Sequence, residues 1–306
     1  MLKAEEQMKR PILFGEVLFD DFADGSRVLG GAPFNVAWHL QAFGARPVFV
    51  SSVGRDVEGE EVLAAMTGWG MDTAGVQRDA GHATGGVAVS IVDGEPRFEI
   101  YPERAYDFVD GGGLPVVADG ALLYHGSLAL RHAASRSAFE HLLEAGLPVF
   151  LDVNLRPPWW DPAVVVERLE GAHWVKLNHD EMKELESEGE TLEERAQVFL
   201  QRHGLESVFL TKGKEGAVAL GRDGGRFEVR PGAVKQVVDT VGAGDAFASV
   251  LIFGLLQDWS LSRTLERAQA FASSMVSVRG ATVNDMAFYQ SHLEAWGLTE
   301  KAVDQE

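Results

Sequence analysis

The chain has 306 residues, 46% hydrophobic and 24% charged, a balance that suits a folded α/β unit with a substantial core. Its 46 acidic residues outnumber 27 basic ones, giving a net charge of −19 and excluding the basic stripe that a nucleic-acid partner requires. It has no cysteine, which excludes disulfides and thiolate chemistry. Residues 1–10 are polar and the apolar run 241–257 is short and glycine-bearing, so neither a leader nor a membrane span is expected, and a cytoplasmic enzyme is the simplest fit.

In chain order, short β-branched and aromatic runs predict strands at 12–14, 48–52, 122–125, 149–152, 174–177 and 208–211. Between and beyond them, apolar spacing predicts helices at 34–43, 60–69, 135–145, 192–203, 245–256 and 263–278. This alternation is the pattern of a mostly parallel sheet with helices on both faces. Two patches interrupt it. Residues 17–29 and 85–100 read as antiparallel strands, the second a hairpin turning through Asp93-Gly94. No repeat or long linker divides the chain, so 1–306 is expected to be one domain with small-sheet segments at about 16–29 and 84–112.

The most informative stretch is Asp239-Thr240-Val241-Gly242-Ala243-Gly244-Asp245, which runs directly into the apolar segment 246–256. Gly242, Ala243 and Gly244 therefore open a buried helix, where free backbone N–H groups and the helix dipole attract an anion. Asp245 places a carboxylate in the same first turn, and the dipole is expected to keep it ionised. An anion cradle beside a proton acceptor suits phosphoryl transfer to a hydroxyl. A loop-to-helix turn without function has the same local pattern. No third glycine makes it a dinucleotide fingerprint and no Gly-Lys-Ser/Thr makes it a P-loop.

Other segments carry the specificity. The chain resembles the ribokinase (PfkB) family of sugar kinases, whose C-terminal signature stands here as Gly242 to Asp245 and whose N-terminal one stands as Gly30-Gly31-Ala32-Pro33-Phe34-Asn35. Also in family order are Gly15-Glu16-Val17-Leu18-Phe19-Asp20, Phe43-Gly44, Val53-Gly54-Arg55-Asp56, Asp152-Val153-Asn154-Leu155-Arg156, Lys176-Leu177-Asn178-His179-Asp180-Glu181 and Thr211-Lys212-Gly213-Lys214-Glu215-Gly216. The resemblance implies a ribokinase-like three-layer α/β/α fold with a small β-sheet lid, and an ATP- and Mg2+-dependent sugar kinase. In proteins of this kind the lid can also be a homodimer interface.

Site roles follow residue by residue from that resemblance. Asp245 is the general base, and Gly242, Ala243 and Gly244 form the anion hole. Asp20, Gly31, Asn35, Arg104, Asn154 and Arg156 line the sugar. Asn178, Glu181, Thr211, Gly213, Gly216, Gly242 and Gly244 serve the nucleotide, with Glu181 reaching Mg2+ through water. Some relatives need potassium, and Asp239 and Val241 stand in the corresponding loop. The adenine pocket is expected near 278–281 and Val234.

Plainer readings stand beside these. Asp20 has Asp21 and Asp24 as neighbours and also fits a turn carboxylate, and Asn35 a helix cap or buried amide. Arg104 reads equally as a surface arginine, Asn178 and Glu181 as a helix start, and the 213–216 glycines as a tight hairpin. The nine scattered histidines offer no transition-metal pattern. The sugar resemblance runs toward bacterial fructokinases, with ribose, 2-keto-3-deoxygluconate or a nucleoside as alternative substrates. A catalytically silent sugar- or nucleotide-binding regulator is the alternative from another class. No membrane or nucleic-acid partner is expected.

Overall fold

The computed structural model describes residues 10–92, 95–116, 120–232 and 237–298. In chain order its strands are β1 (Arg10–Phe14), β2 (Leu18–Phe22), β3 (Arg27–Gly30), β4 (Val48–Gly54), β5 (Val76–Asp79), β6 (Gly85–Val92), β7 (Glu95–Ile100), β8 (Gly120–His125), β9 (Val149–Asp152), β10 (Trp174–Asn178), β11 (Ser207–Thr211), β12 (Ala217–Gly221) and β13 (Arg226–Val229). The α-helices are α1 (Ala32–Ala42), α2 (Val57–Gly68), α3 (Ala133–Leu143), α4 (Pro162–Glu170), α5 (His179–Leu185), α6 (Leu192–Arg202), α7 (Ala243–Leu256), α8 (Leu261–Met275) and α9 (Met286–Trp296).

Nine strands form the large sheet in the order β13-β12-β11-β10-β9-β8-β1-β4-β5, parallel from β11 through to β5 and antiparallel at the β12–β13 edge. Central strands are apolar on both faces because helices cover both. Leu13, Phe49, Tyr124, Phe150 and Phe209 pack in one cluster with α1, α2, α7, α8 and α9. Their alternating neighbours Ile12, Phe14, Leu123 and Val149 pack with α3, and Leu151, Val175 and Val208 with α4 and α6. The three layers match the expected fold. All six expected core strands are present, and α2 begins earlier than its apolar pattern because Asp56 caps it, accepting from Gly59 N–H at 2.8 Å.

The second sheet has the order β3-β2-β6-β7. Each of the two expected patches is antiparallel within itself, but β2 and β6 run parallel to each other, which the sequence reading did not include. The chain between them passes through the large sheet and returns by a crossover, which permits parallel pairing. The turn expected at Asp93-Gly94 and the adenine-pocket neighbour Val234 lie outside the described residues.

Helix α7 is apolar almost all round, yet among the described residues no helix is long and apolar enough to cross a membrane. It is buried instead, and Gly254 lets it approach α8 closely: a Cβ there would lie 2.5 Å from Thr264 Cγ2. Gly254→Val should therefore lower unfolding free energy by about 1–3 kcal/mol, the usual cost of overpacking. Urea denaturation measures it, and an unchanged midpoint would contradict the close packing.

Candidate active site

The start of α7 is set by Gly242, whose φ of 76° is left-handed and whose Cβ, if present, would sit 2.4 Å from the Ala281 backbone. The first helical bond runs from Ala246 N–H to the Gly242 carbonyl at 2.8 Å. The N–H groups of Gly244 and Asp245 therefore precede the helical ladder, as expected of a helix N-terminus. Asp245 is half-buried at this point, its Oδ2 accepting a 2.8 Å hydrogen bond from Asn35 Nδ2.

Asn35 is buried on α1, whose N-cap Gly31 has φ 111° and lies where a Cβ would meet the Glu16 carbonyl at 2.6 Å. Pro33 occupies the first turn, where a missing N–H costs nothing. With its amide nitrogen given to Asp245, Asn35 keeps a buried Oδ1 without a partner. That oxygen lies 3.8 Å from the Cβ position of Gly30, and Asp20 Oδ2 lies 4.0 Å from the same point. Strand β2 and helix α1 thus bring Asp20 and Asn35 to one place.

Burial pushes the Asp245 carboxyl up to about 6; the Asn35 bond opposes this, the Asp152 carboxylate adds to it, and Lys176 and Arg156 oppose it. The sequence expectation is an ionised Asp245; burial raises its pKa, and at about 6 the carboxylate form still predominates at pH 7 by roughly tenfold. Asp20 is likewise raised to about 6, by burial and then Asp21, against Arg156. Arg156 is exposed and makes no ion pair of its own among the described residues.

The sequence reading assigned no role to Glu16, Asp152 or Lys176. Glu16 is 3% exposed, with Oε2 unpartnered, and burial lifts its carboxyl to about 7 against its own backbone amide and Arg156, with Asp245 adding to the rise. Lys176 Nζ bonds both Asp152 oxygens, at 2.8 and 2.9 Å, in the layer below the α7 start. The ammonium is 3.7 Å from the Cβ position of Gly244. Burial alone would lower its pKa, but Asp152 reverses this and holds it above the ordinary value, so it stays charged. The signal was available: a lysine and an aspartate interrupt otherwise apolar buried strands, and such charges are rare unless paired or used.

Asn154 has φ 40°, and its carbonyl accepts from Ser127 Oγ at 3.0 Å. Glu181 fixes the same loop, with Oε1 accepting Leu155 N–H at 2.9 Å and Oε2 accepting Asn178 N–H at 2.8 Å. Asn178 caps α5 in return through the Asp180 and Glu181 amides. The Asn-x-x-Glu motif is thus first a helix cap that staples the 154–156 loop. One such carboxylate, with lone pairs left over, suits a hydrated magnesium held mainly by water and phosphate oxygens rather than a protein cage. Among the described residues no cluster of three metal-ligating side chains exists.

Thr211 ends β11, its hydroxyl 3.4 Å from the Leu177 carbonyl. Gly213 faces open space, whereas a Cβ on Gly216 would strike the Val229 carbonyl, so Gly216 is required by strand β13. Asp239 accepts from Val241 N–H and Gly280 N–H, both at 3.0 Å, tying the loop before α7 to the 276–281 turn. Arg104 rests on Tyr101, 4.7 Å from the ring centroid, with a buried, unpartnered Nε. Among the described residues no hydrogen bond or ion pair joins Arg104 to the Asp245 cluster.

Residues 15–286 match the family described as pfkB family carbohydrate kinase. The chain is 32% identical over 270 residues to a fructokinase of Salmonella typhimurium, covering 82% of this chain and 87% of that one. An Escherichia coli fructokinase is 29% identical with the same coverage. Of solved structures, a Vibrio cholerae O395 fructokinase in fructose, ADP and calcium ion bound form is similar, with TM-score 0.79, 28% identity and 92% and 98% of the two chains covered. A fructokinase with bound ATP from Xylella fastidiosa has TM-score 0.82, 24% identity and coverages of 95% and 99%, a likeness of fold.

The Asn35 bond lowers the Asp245 pKa, so Asn35→Ala should move its titration midpoint above 6. Carboxyl carbon NMR, assigned by difference with Asp245→Asn, reads it; a midpoint unchanged or lower would contradict the geometry.

Proposed function

The chain belongs to the pfkB family of carbohydrate kinases, ATP-dependent sugar kinases, and we propose that it phosphorylates a primary hydroxyl of fructose with Asp245 as general base. One observation carries the reading: a carboxylate at the start of a buried helix, held by Asn35 and flanked by two amides outside the helical ladder. Fructose as acceptor is supported by the names of the bacterial relatives and by the fructose-bound Vibrio protein.

The acceptor hydroxyl lies between Asp245 and the γ-phosphorus of ATP. Its oxygen attacks phosphorus, the bond to the ADP oxygen breaks, and the hydroxyl proton passes to Asp245. With a pKa near 6 the carboxylate is available at neutral pH and becomes the stronger acceptor as the attacking oxygen acidifies. The amides of Ala243, Gly244 and Asp245, with Lys176 beneath Gly244, stabilise charge on the transferring oxygens. Asp20, Gly31, Asn35, Asn154, Arg156 and Arg104 hold the sugar, Asn35 Oδ1 accepting from one hydroxyl. Thr211, Gly213 and Gly216 lie along the nucleotide. Glu181, through water and with Asn178 nearby, would help to hold a magnesium ion brought with ATP, and that ion would neutralise phosphate charge there. A potassium ion at the Asp239–Val241 loop would steady the α7 start, and the Vibrio fructokinase is also known in a form with bound potassium. A cytoplasmic setting, where ATP is abundant, suits the reading.

Segments at about 16–29 and 84–112 act as a lid on this one kinase domain. The sheet face that carries Asp20 also carries the exposed Phe22, Val28 and Phe98 by register, and Phe98 is 54% exposed. Closing two such faces on each other would bury them in a homodimer. Phe98→Glu should then shift the mass by light scattering from dimer to monomer; a wild-type monomer would contradict the dimer.

Asp245→Ala should lower kcat by roughly 10²–10⁴-fold while leaving KM for sugar and ATP within a few-fold. In the wild type, kcat/KM should fall as pH drops through about 6, because Asp245 must be ionised to accept the proton. ADP release across a panel of fructose, ribose, 2-keto-3-deoxygluconate and nucleosides identifies the acceptor. Full turnover in Asp245→Ala would remove the base, and release with another sugar alone would replace fructose. The joint variant Lys176→Met, Asp152→Leu removes a buried pair without stranding a charge, and a kcat loss near 10²-fold is expected with unfolding unchanged.

A further inference from the structure

His39 is a fully buried histidine that the proposed reaction does not use. It stands on α1 one turn after Asn35, on the same face of the helix. Its ring lies edge-on to Phe271 of α8, with centroids 5.2 Å apart, and beside Tyr289 of α9. A polar ring in aromatic surroundings costs free energy unless its nitrogens are bonded, and both are.

The bonds settle its state. Nε2 is 3.1 Å from the Ala281 carbonyl, which can only accept, so Nε2 carries the proton. Burial lowers the ring's pKa to about 3, against the Ala281 bond, so Nδ1 is bare and accepts from the Tyr289 hydroxyl at 3.0 Å. The Val283 carbonyl, 3.2 Å from that same hydroxyl, takes the Trp38 indole N–H at 3.0 Å. Trp38 and His39, neighbours on α1, thus grip the 281–283 segment together.

That segment is the one on which α7 begins. A Cβ on Gly242 would strike Ala281 Cα and sit 3.0 Å from the Ala281 oxygen, the atom that His39 holds. The turn is tied on its other side as well. Gly280 N–H donates to Asp239 Oδ2 at 3.0 Å, and Asp239 Oδ1 accepts from Val241 N–H at 3.0 Å. The first turn of α7 is therefore anchored to α1 at two points. One is direct, the Asn35–Asp245 bond; the other runs from His39 through Ala281 to Gly242. A single side-chain bond fixes a distance and leaves the helix start free to tilt about it. The second anchor fixes the tilt, and with it the aim of the Gly244 and Asp245 amides.

We infer that His39 is a positioning residue for phosphoryl transfer, aiming the α7 amides at the acceptor hydroxyl through the Ala281 carbonyl. This role rests on the reading of the α7 start as the phosphoryl site, and it adds a side chain with no accessible surface of its own.

Two substitutions separate the two ring nitrogens. In His39→Gln the amide nitrogen stands the same number of bonds from Cα as Nε2, so the Ala281 carbonyl keeps its donor and the Tyr289 hydroxyl turns to Val283. In His39→Asn the amide oxygen takes the place of Nδ1, so Tyr289 keeps its acceptor and the Ala281 carbonyl loses its donor. With whichever sugar of the panel the wild type phosphorylates, His39→Asn should lower kcat about 10–100-fold and leave the sugar KM within a few-fold, the loss that a misaimed site gives. His39→Gln should keep kcat within a few-fold of the wild type. The Gly244 and Asp245 amide resonances should move in His39→Asn and stay in His39→Gln, a readout that needs no turnover. Unchanged kcat in His39→Asn, or equal losses in the two variants, means a packing role and overturns the positioning. If no panel sugar is turned over, amides unmoved in both variants overturn it. Should His39→Asn fail to fold, the wild type decides: its His39 Nε2–H resonance should shift when a non-hydrolysable ATP analogue binds, and a fixed resonance overturns the role. Asp245→Ala is assayed alongside. Its loss of turnover beside full turnover in His39→Asn overturns this role alone, whereas full turnover in Asp245→Ala removes the phosphoryl-site reading and this role with it.

Discussion

A single 2.8 Å hydrogen bond, from Asn35 to Asp245, joins helix starts 210 residues apart, and the geometry of the whole site depends on it. Each start needs a glycine at positive φ pressed against another segment: Gly31 against the Glu16 carbonyl, Gly242 against Ala281. The first contact fixes α1 to the loop leaving β1, and the second fixes α7 to the turn after α8. A side chain at either glycine would move one end of the bond. The apolar bulk of α1 and α7 packs in one cluster, so the two polar tips are carried by a rigid body rather than by loops.

Around this bond the electrostatics are divided by layer. Glu16, Asp20 and Asp245 all have carboxyls raised by burial, to about 7, 6 and 6, and Arg156 lowers each of them. Below them the Lys176–Asp152 pair sets a permanent ammonium against the first turn of α7. Acceptors thus gather on the side where hydroxyls would lie, and amides and an ammonium where phosphoryl oxygens would lie. A net charge of −19 does not oppose this, because local donors and burial, not the sum over the surface, set the field inside a half-buried cleft.

Much of this was legible in the sequence, and the limits have physical causes. The parallel core was readable because buried strands are continuous apolar runs, and the α7 start because glycine, glycine and aspartate precede an uncharged helix. Strand β5, with its Gln77, Arg78 and Asp79, and helix α4 carry weak patterns and went unassigned. The parallel contact of β2 with β6 is a long-range pairing that no local pattern encodes. The pKa of Asp245 depends on burial and on Asn35, Asp152, Arg156 and Lys176, which helix position alone does not show. Glu181 had two readings, cap and metal organiser, and the cap is the one its hydrogen bonds display. Gly216 likewise answers to strand β13. Lys176 was visible as a charge inside a buried strand, but its place under Gly244 required the fold.

The central claim is that Asp245 faces the acceptor hydroxyl beside the α7 amides. A crystal structure with fructose and a non-hydrolysable ATP analogue measures this directly. The account predicts a primary hydroxyl within about 2.6–3.2 Å of an Asp245 carboxylate oxygen, with γ-phosphoryl oxygens on the Gly244 and Asp245 amides. A sugar bound with every hydroxyl beyond that reach, or a γ-phosphate away from those amides, would contradict it.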